Sequence, residues 1–420
     1  MPDPTVNEGA ELSVAGPPQD AKAPLGGSVV REATSVGALH GFRVIDMTGV
    51  VLGPYATQIL GDYGADVIKI EPPGGDIMRH AGPMQHPGMG HIFINANRNK
   101  RSVVLDLKQP ADRATLLQLC ATADVLAYNI RPASMARLGL SWEAVQAVNP
   151  RIVYCGAYGY SEGGPYSDWP AYDDLIQGAA CIPWLMTQSG SPEPRYVPAT
   201  FADRVTGLNM VHAIMAALLA RVRTGRGQSV EVPMFECLLQ FVLGEHLGGA
   251  TWEPPIGPMG HSRMLAPNRK PYATADGHVC ALMYNDAHWK AFLALVGEHQ
   301  RFDADARFTT QSARITHIDA LYGFVQQHMR AHGTAHWLSV LAAHDIPVMP
   351  MMKLDDLLTD PHLLATGAWL DVAHPHEGRL RQLRPPVRMG DTPTSVRRPA
   401  PLLGEHTQEV LAELRGMSGG

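Results

Sequence analysis

Residues 41–75 read GFRVIDMTGVVLGPYATQILGDYGADVIKIEPPGG, and residues 95–108 extend the block with NANRNKRSVVLDLK. Arg43–Met47 is a short apolar strand, residues 48–53 are a loop, and Pro54 stands where a helix begins, a place that tolerates its missing N–H. A second strand at 65–71 follows within one crossover. Strand, loop, helix and strand in that order build a parallel sheet. The helix start, with unpaired N–H groups and a positive dipole end, suits a phosphate or a carboxylate. The loop TGVVLGP lacks the G-x-G-x-x-G spacing of dinucleotide folds, so a nicotinamide or flavin reading draws no support from it.

Outward from this block the alternation continues. Strand-like runs at 102–107, 125–129 and 152–156 are separated by helical patterns such as residues 110–123, which predicts a doubly wound α/β sheet. After Arg204, the residues Val205, Leu208, Val211, Met215, Leu218, Leu219 and Val222 recur at helical spacing, and TGRGQ at 224–228 ends that helix before a strand at 229–233. Residues 253–270, dense in Pro and Gly, read as a linker or active-site loop. Beyond it come a hairpin at 272–284 turning at Asp276-Gly277, helices to about residue 343, and a run at 346–352 that begins the return. The expected organisation is a flexible tail at 1–38, a large domain at 39–235, a linker and smaller α+β domain at 236–345, and a return segment at 346–420 that completes the large domain.

With 420 residues, 45% of them hydrophobic and 18% charged, the chain has the composition of a soluble globular protein. Its net charge of −6 argues against nucleic-acid binding, which needs a concentrated basic face. No segment reads as a membrane span, and the first 38 residues carry no signal-peptide pattern. Five scattered cysteines without a C-x-x-C pair point to reduced thiols and a cytoplasmic setting. The 19 histidines do not form a metal motif: His80, His86 and His91 lie in a Gly/Pro loop without helical ligand spacing.

The motifs GADVIKIEPPGGD (64–76), NRNKRSVVLDLK (97–108), ADVLAYNIRPASMARLGL (123–140), NPRIVYCGAYGY (149–160), TGRGQSVEVPM (224–234) and APLLGEHT (400–407) occur in an order that resembles the class III CoA transferases. That family includes formyl-CoA and carnitine CoA transferases, with α-methylacyl-CoA racemases as cousins, and the resemblance spans about nine tenths of the chain. It implies a Rossmann-like large domain, a smaller domain, and two chains interlocked as a homodimer. It also implies an acyl-CoA thioester and a small carboxylic acid as substrates, with no prosthetic group and no metal.

Carried over residue by residue, the resemblance makes Asp203, in PATFADRVTGLN, the nucleophile. Its position immediately before a helix equally describes an ordinary N-cap, and that helix start would keep the carboxyl ionised near or below about 3.9. Tyr172 and Asp173 match a Tyr-Glu pair near the thioester; as residues alone they could be a hydrogen-bonded pair at a helix start. The racemases place a histidine at Tyr172, and a tyrosine is a poor base near neutral pH, which favours acyl transfer. For the coenzyme the matching positions are Val51, Leu52, Leu105, Lys108, Asn129, Ile130, Arg131 and Arg137, where the arginine forks suit phosphate oxygens. Arg137 also fits a solvated helix face.

Pro72 and Pro170 replace an Arg and a Lys of formyl-CoA transferases, and only scattered glycines stand where those enzymes carry a glycine run. The phosphate grip and the acyl substrate therefore differ from theirs. Trp184, His246, Trp252 and Arg263 are candidate lining residues. The alternatives to a transferase are a racemase or related acyl-CoA isomerase, and a protein that binds CoA thioesters without turnover.

Overall fold

The computed structural model describes residues 36–418; most of the tail read at 1–38 lies outside the described residues. Its centre is a sheet of six parallel strands, β1 (Arg43–Met47), β2 (Asp66–Glu71), β3 (Lys100–Val104), β4 (Val125–Tyr128), β5 (Val153–Tyr158) and β6 (Gln228–Pro233), in the order β3-β2-β1-β4-β5-β6. Because side chains alternate along a strand, neighbouring apolar residues enter opposite cores. Val44, Val67, Val125 and Val153 pack towards helices Leu52–Asp62 and Phe201–Thr224. Ile45, Ile68, Leu126 and Tyr154 face Pro110–Ala121 and Val410 and Leu414 of Thr407–Ser418.

Two element bounds differ from the sequence reading for a physical reason. β3 begins at Lys100 rather than at 102, because Lys100 and Arg101 are buried by charge pairing with Asp46 and with Asp66, Glu409 and Glu413. The long helix begins at Phe201 with Thr200 as its N-cap, which puts Asp203 inside the first turn rather than at the cap. At its other end Gly225, at φ 72°, closes the helix in the left-handed conformation that glycine takes without penalty. By length and composition Phe201–Thr224 is apolar enough to cross a membrane, contrary to the sequence reading. In the fold it packs as a central helix, and Gly207 lets it approach the first helix so closely that a Cβ there would lie 2.8 Å from the Leu52 carbonyl oxygen.

A second group of elements has its own core. Strands β7 (Tyr272–Ala273), β8 (His278–Ala281) and β9 (Val348–Pro350) form an antiparallel sheet, with β7 and β8 joined through Asp276-Gly277. Trp289, Phe292, Phe308, Val325 and Trp337 fill the space beneath it. A hairpin of β10 (Trp369–His374) and β11 (Gly378–Leu383) follows. The chain then returns to the large sheet, where Asn99 N–H donates to the Arg398 carbonyl and His406 N–H to that of Ser102.

Candidate active site

In a sheet of order 3-2-1-4-5-6 the order in which strands are added reverses at β1 and β4, and the loops leaving those two parallel strands diverge to open a crevice. A cleft of about 620 Å³ lies there. Its walls are the loop after β1 (Thr48, Gly49, Val50), the end of β2 (Ile70, Glu71, Pro72), the loop after β4 (Asn129, Ile130, Arg131) and the end of β5 (Ala157, Tyr158, Gly159). Tyr172 and Asp173 from one side and Asp203 from another complete it.

Asp203 is only 8% exposed. Its backbone N–H donates to Asp173 Oδ1 at 2.9 Å, and Asp173 Oδ2 accepts from Gln177 Nε2 at 2.7 Å, so Asp173 is fixed from both sides. The Asp203 carboxylate accepts no hydrogen bond from the described residues and opens to the cleft. A first-turn carboxylate ordinarily gains from the helix dipole. Here burial outweighs that gain and, with the neighbouring Asp173 charge, pushes the Asp203 carboxyl up to about 7, with Arg204 opposing. This overturns the expectation of a carboxyl near or below its ordinary value. The result is an acid that ionises near neutrality and, once ionised, is a poorly solvated and correspondingly strong nucleophile.

For a reaction that uses this carboxyl in its ionised form, kcat/KM is expected to rise with pH through a midpoint near 7, as read from a rate profile between about pH 5 and pH 9. Asp173→Asn removes the neighbouring negative charge, so the midpoint moves to lower pH but stays above the ordinary carboxylate range, since burial remains. A flat profile in the native enzyme would contradict this assignment.

The structure gathers Leu52, Asn129, Ile130, Arg131, Tyr172, Asp173 and Asp203 around one cleft, although they span some 150 positions. Tyr172 is 68% exposed and is the N-cap residue of helix Asp173–Ala179. Asn129 has both ends of its amide engaged: Oδ1 accepts from Gly49 N–H at 3.0 Å and Nδ2 donates to the Gly49 carbonyl at 2.8 Å. It clamps the first loop. Arg131 reaches the cleft with one nitrogen on the Asp168 carbonyl.

Four predicted residues do not line the cleft. Val51 is buried as the N-cap of the first helix, Leu105 lies in the core on the Ile45 side of the sheet, and Lys108 is exposed. Arg137 is exposed and donates to Ser134 Oγ, itself on the cleft wall. Trp184, His246, Trp252 and Arg263 are not among the cleft's lining residues either: the two tryptophans are exposed, Arg263 donates to the Tyr322 hydroxyl, and His246 accepts from His261 N–H. Among the described residues no group of three or more His, Cys, Asp or Glu is placed to hold a metal.

Sequence reasoning missed the charges beneath the cleft. Asp46, Lys69, Glu71, Asp76, Arg79 and Lys100 are all buried and joined by ion pairs Lys69–Asp76 (3.0 Å), Arg79–Glu71 (2.7 Å) and Lys100–Asp46 (2.9 Å). The signal was present in RVIDM and DVIKIE, where a charge interrupts an apolar strand in a sheet buried on both faces. A second omission is Arg204, whose guanidinium lies 4.3 Å from the centre of the Tyr55 ring, beside the nucleophile candidate.

A parallel sheet with a crevice at its switch point, lined by Asp173 and Asp203, is the architecture of the α/β proteins that bind a ligand at the carboxyl ends of their strands. The chain belongs to CoA-transferase family III, whose model matches residues 39–407. It is 32% identical to the succinate–glutarate CoA-transferase of Agrobacterium fabrum, over 90% of this chain and 95% of that one. It is 31% identical to a formyl-CoA:oxalate CoA-transferase of Rhodopseudomonas palustris, over 91% and 94%. Among solved structures, a CAIB/BAIF family protein from Brucella suis superposes with a TM-score of 0.76 at 31% identity, covering 90% of this chain and 100% of that one. A protein of Mycobacterium tuberculosis gives 0.77 at 27%, covering 89% and 99%.

Proposed function

We propose that this protein moves CoA from an acyl-CoA donor to a carboxylic acid through covalent intermediates on Asp203. The observation that carries the proposal is the Asp203 carboxylate, unbonded and open to the cleft at the carboxyl ends of the parallel strands. An Asp203 oxygen attacks the thioester carbonyl, the C–S bond breaks, and a mixed anhydride forms as CoA leaves as thiolate. The thiolate attacks the Asp203 carbonyl carbon, releasing the donor as its carboxylate and leaving an aspartyl-CoA thioester. The acceptor carboxylate attacks that carbonyl, expelling CoA thiolate and forming a second anhydride. The thiolate then takes the acceptor acyl group and frees Asp203. One thioester replaces another, so no ATP is consumed.

The CoA body, held along the β1 and β4 loops with Arg131 at the mouth, keeps the thiolate close between steps. Such tethering contributes up to roughly 7–11 kcal/mol in well-oriented systems. A homodimer belongs to the same proposal, supported by large apolar side chains left exposed on the single chain, among them Phe241, Trp252 and Ile256.

Incubation with a panel of acyl-CoAs followed by hydroxylamine is expected to yield a hydroxamate at Asp203, detected by mass spectrometry. No adduct across the panel, together with α-proton exchange in deuterated water, would replace transfer by racemisation. Light scattering on the same preparation tests the dimer, and a single-chain mass would remove it.

A further inference from the structure

The loop between β1 and the first helix contains a conformation that its own sequence opposes. Val50 lines the cleft with φ 68°, in the left-handed region that branched side chains rarely adopt. What surrounds it is a closed chain of hydrogen bonds. Val50 N–H donates to Asp76 Oδ1 at 3.2 Å, Lys69 Nζ donates to Asp76 Oδ2 at 3.0 Å, and the same Nζ donates to the Thr48 carbonyl at 2.7 Å.

Lys69 and Asp76 therefore grip the backbone on both sides of Gly49. Lys69 is wholly buried and Asp76 nearly so. Asp76 is itself anchored: its N–H donates to Glu71, and its Oδ1 also accepts from Met78 N–H. Left-handed geometry at such a residue persists only where the surroundings over-determine it, and it clusters at sites whose function needs that shape.

We propose that Asp76, backed by Lys69, is a positioning residue that holds the 48–51 loop in the shape required to seat the CoA body of the thioester, by forcing Val50 into the left-handed conformation. The proposal rests on the transferase reading for its kinetic consequence but not for the clamp itself. Both side chains are almost wholly buried in the cleft wall, with their polar atoms turned to the loop backbone and to each other. They act through the loop, and a displacement of about 1 Å in such a wall can cost about a hundredfold in rate.

The test combines Asp76→Asn and Asp76→Glu with Val50→Gly. Asp76→Asn removes the charge facing Lys69; Asp76→Glu keeps it, protecting the fold, but moves the acceptor away from Val50 N–H. Hydrogen–deuterium exchange over residues 48–53 is expected to accelerate at least about tenfold in either variant, as a freed backbone opens locally. With the best donor acyl-CoA from the panel, kcat should fall at least about tenfold. Glycine adopts the left-handed geometry unaided. Adding Val50→Gly should therefore bring kcat to within about threefold of that of Val50→Gly alone, a coupling that independent sites do not show. Unchanged exchange, or an undiminished loss in the Val50→Gly background, would overturn the proposal. If the native chain turns over no acyl-CoA, the transferase reading fails while the exchange measurement still decides the clamp.

Discussion

Asp203→Ala is expected to abolish CoA transfer, lowering kcat by roughly 10⁴- to 10⁶-fold, the range seen when a covalent nucleophile is removed. At about 1.36 kcal/mol for each factor of ten, that is roughly 5–8 kcal/mol of transition-state stabilisation. The effect on folding has the opposite sign. In the folded protein burial and Asp173 raise this carboxyl to about 7. Its contribution to stability is fully present below its ordinary value of 3.8 and is lost as pH rises through 7. Replacing it with alanine relieves that penalty above neutrality, by at most about 4 kcal/mol at roughly 1.36 kcal/mol per pKa unit. Denaturant titrations at two pH values should show the variant gaining more on the native chain at pH 8 than at pH 5. A variant that loses activity and stability together at pH 8 would mean that Asp203 serves the fold rather than the chemistry.

The second large effect is on stability alone. Asp46 lies at the centre of the sheet, where it accepts from Lys100 Nζ at 2.9 Å, from Thr57 Oγ1 at 2.7 Å, and from both the backbone and the hydroxyl of Thr48. Burial works against its charge, but Lys100, Lys69 and the Thr48 hydroxyl outweigh it and hold the carboxyl down at about 2. Lys100, also fully buried, is pulled down to about 8 by desolvation even with Asp46 beside it. Asp46→Ala leaves an ammonium group in the core without its partner carboxylate. Breaking a buried pair from one side costs about 3–5 kcal/mol, and the Thr48 hydroxyl, which loses its Asp46 acceptor, adds to it, whereas that of Thr57 keeps the Gly53 carbonyl. Urea unfolding should show the extrapolated unfolding free energy falling by that amount, as a lower midpoint at unchanged slope. A loss of under about 1 kcal/mol would place the pair among surface-like interactions.

The two substitutions separate what each charge does. Asp203 is a carboxylate left without a donor and raised towards neutrality, at a cost in stability that is the usual mark of a working group. Asp46 is a carboxylate with every lone pair engaged, and its ionisation is secured. Their different surroundings, rather than their common chemistry, divide the roles.

Much of the fold was legible in the residues. Apolar runs of strand length alternating with helical patterns announce a parallel sheet, because a strand buried on both faces has no polar side and its crossover must be long. Asp276-Gly277 marked the β7–β8 turn, since its backbone geometry is local. The candidate nucleophile, Arg131 and Asn129 were also identifiable as residues, because motifs are short and carry their own spacing.

What those residues do was less legible. Asn129, read as a coenzyme contact, lines the cleft and also clamps Gly49 by both ends of its amide, a bond across 80 positions that no local pattern shows. Lys108, read as a coenzyme position, is exposed and not among the residues that line the cleft. Asp203, read as a nucleophile kept ionised by its helix start, is a buried carboxyl within the first helical turn, pushed up to about 7.

By itself, then, the amino-acid sequence determined the order and type of the elements and the set of polar residues available to the site, because both depend on neighbours a few positions apart. Only the tertiary structure decided which of them meet in the cleft, that Lys69 and Asp76 hold Val50 against its own preference, and that Asp203 titrates near neutrality. Burial, desolvation and through-space charge are set by residues distant in the chain, such as Asp173 thirty positions before Asp203, and no local pattern records them.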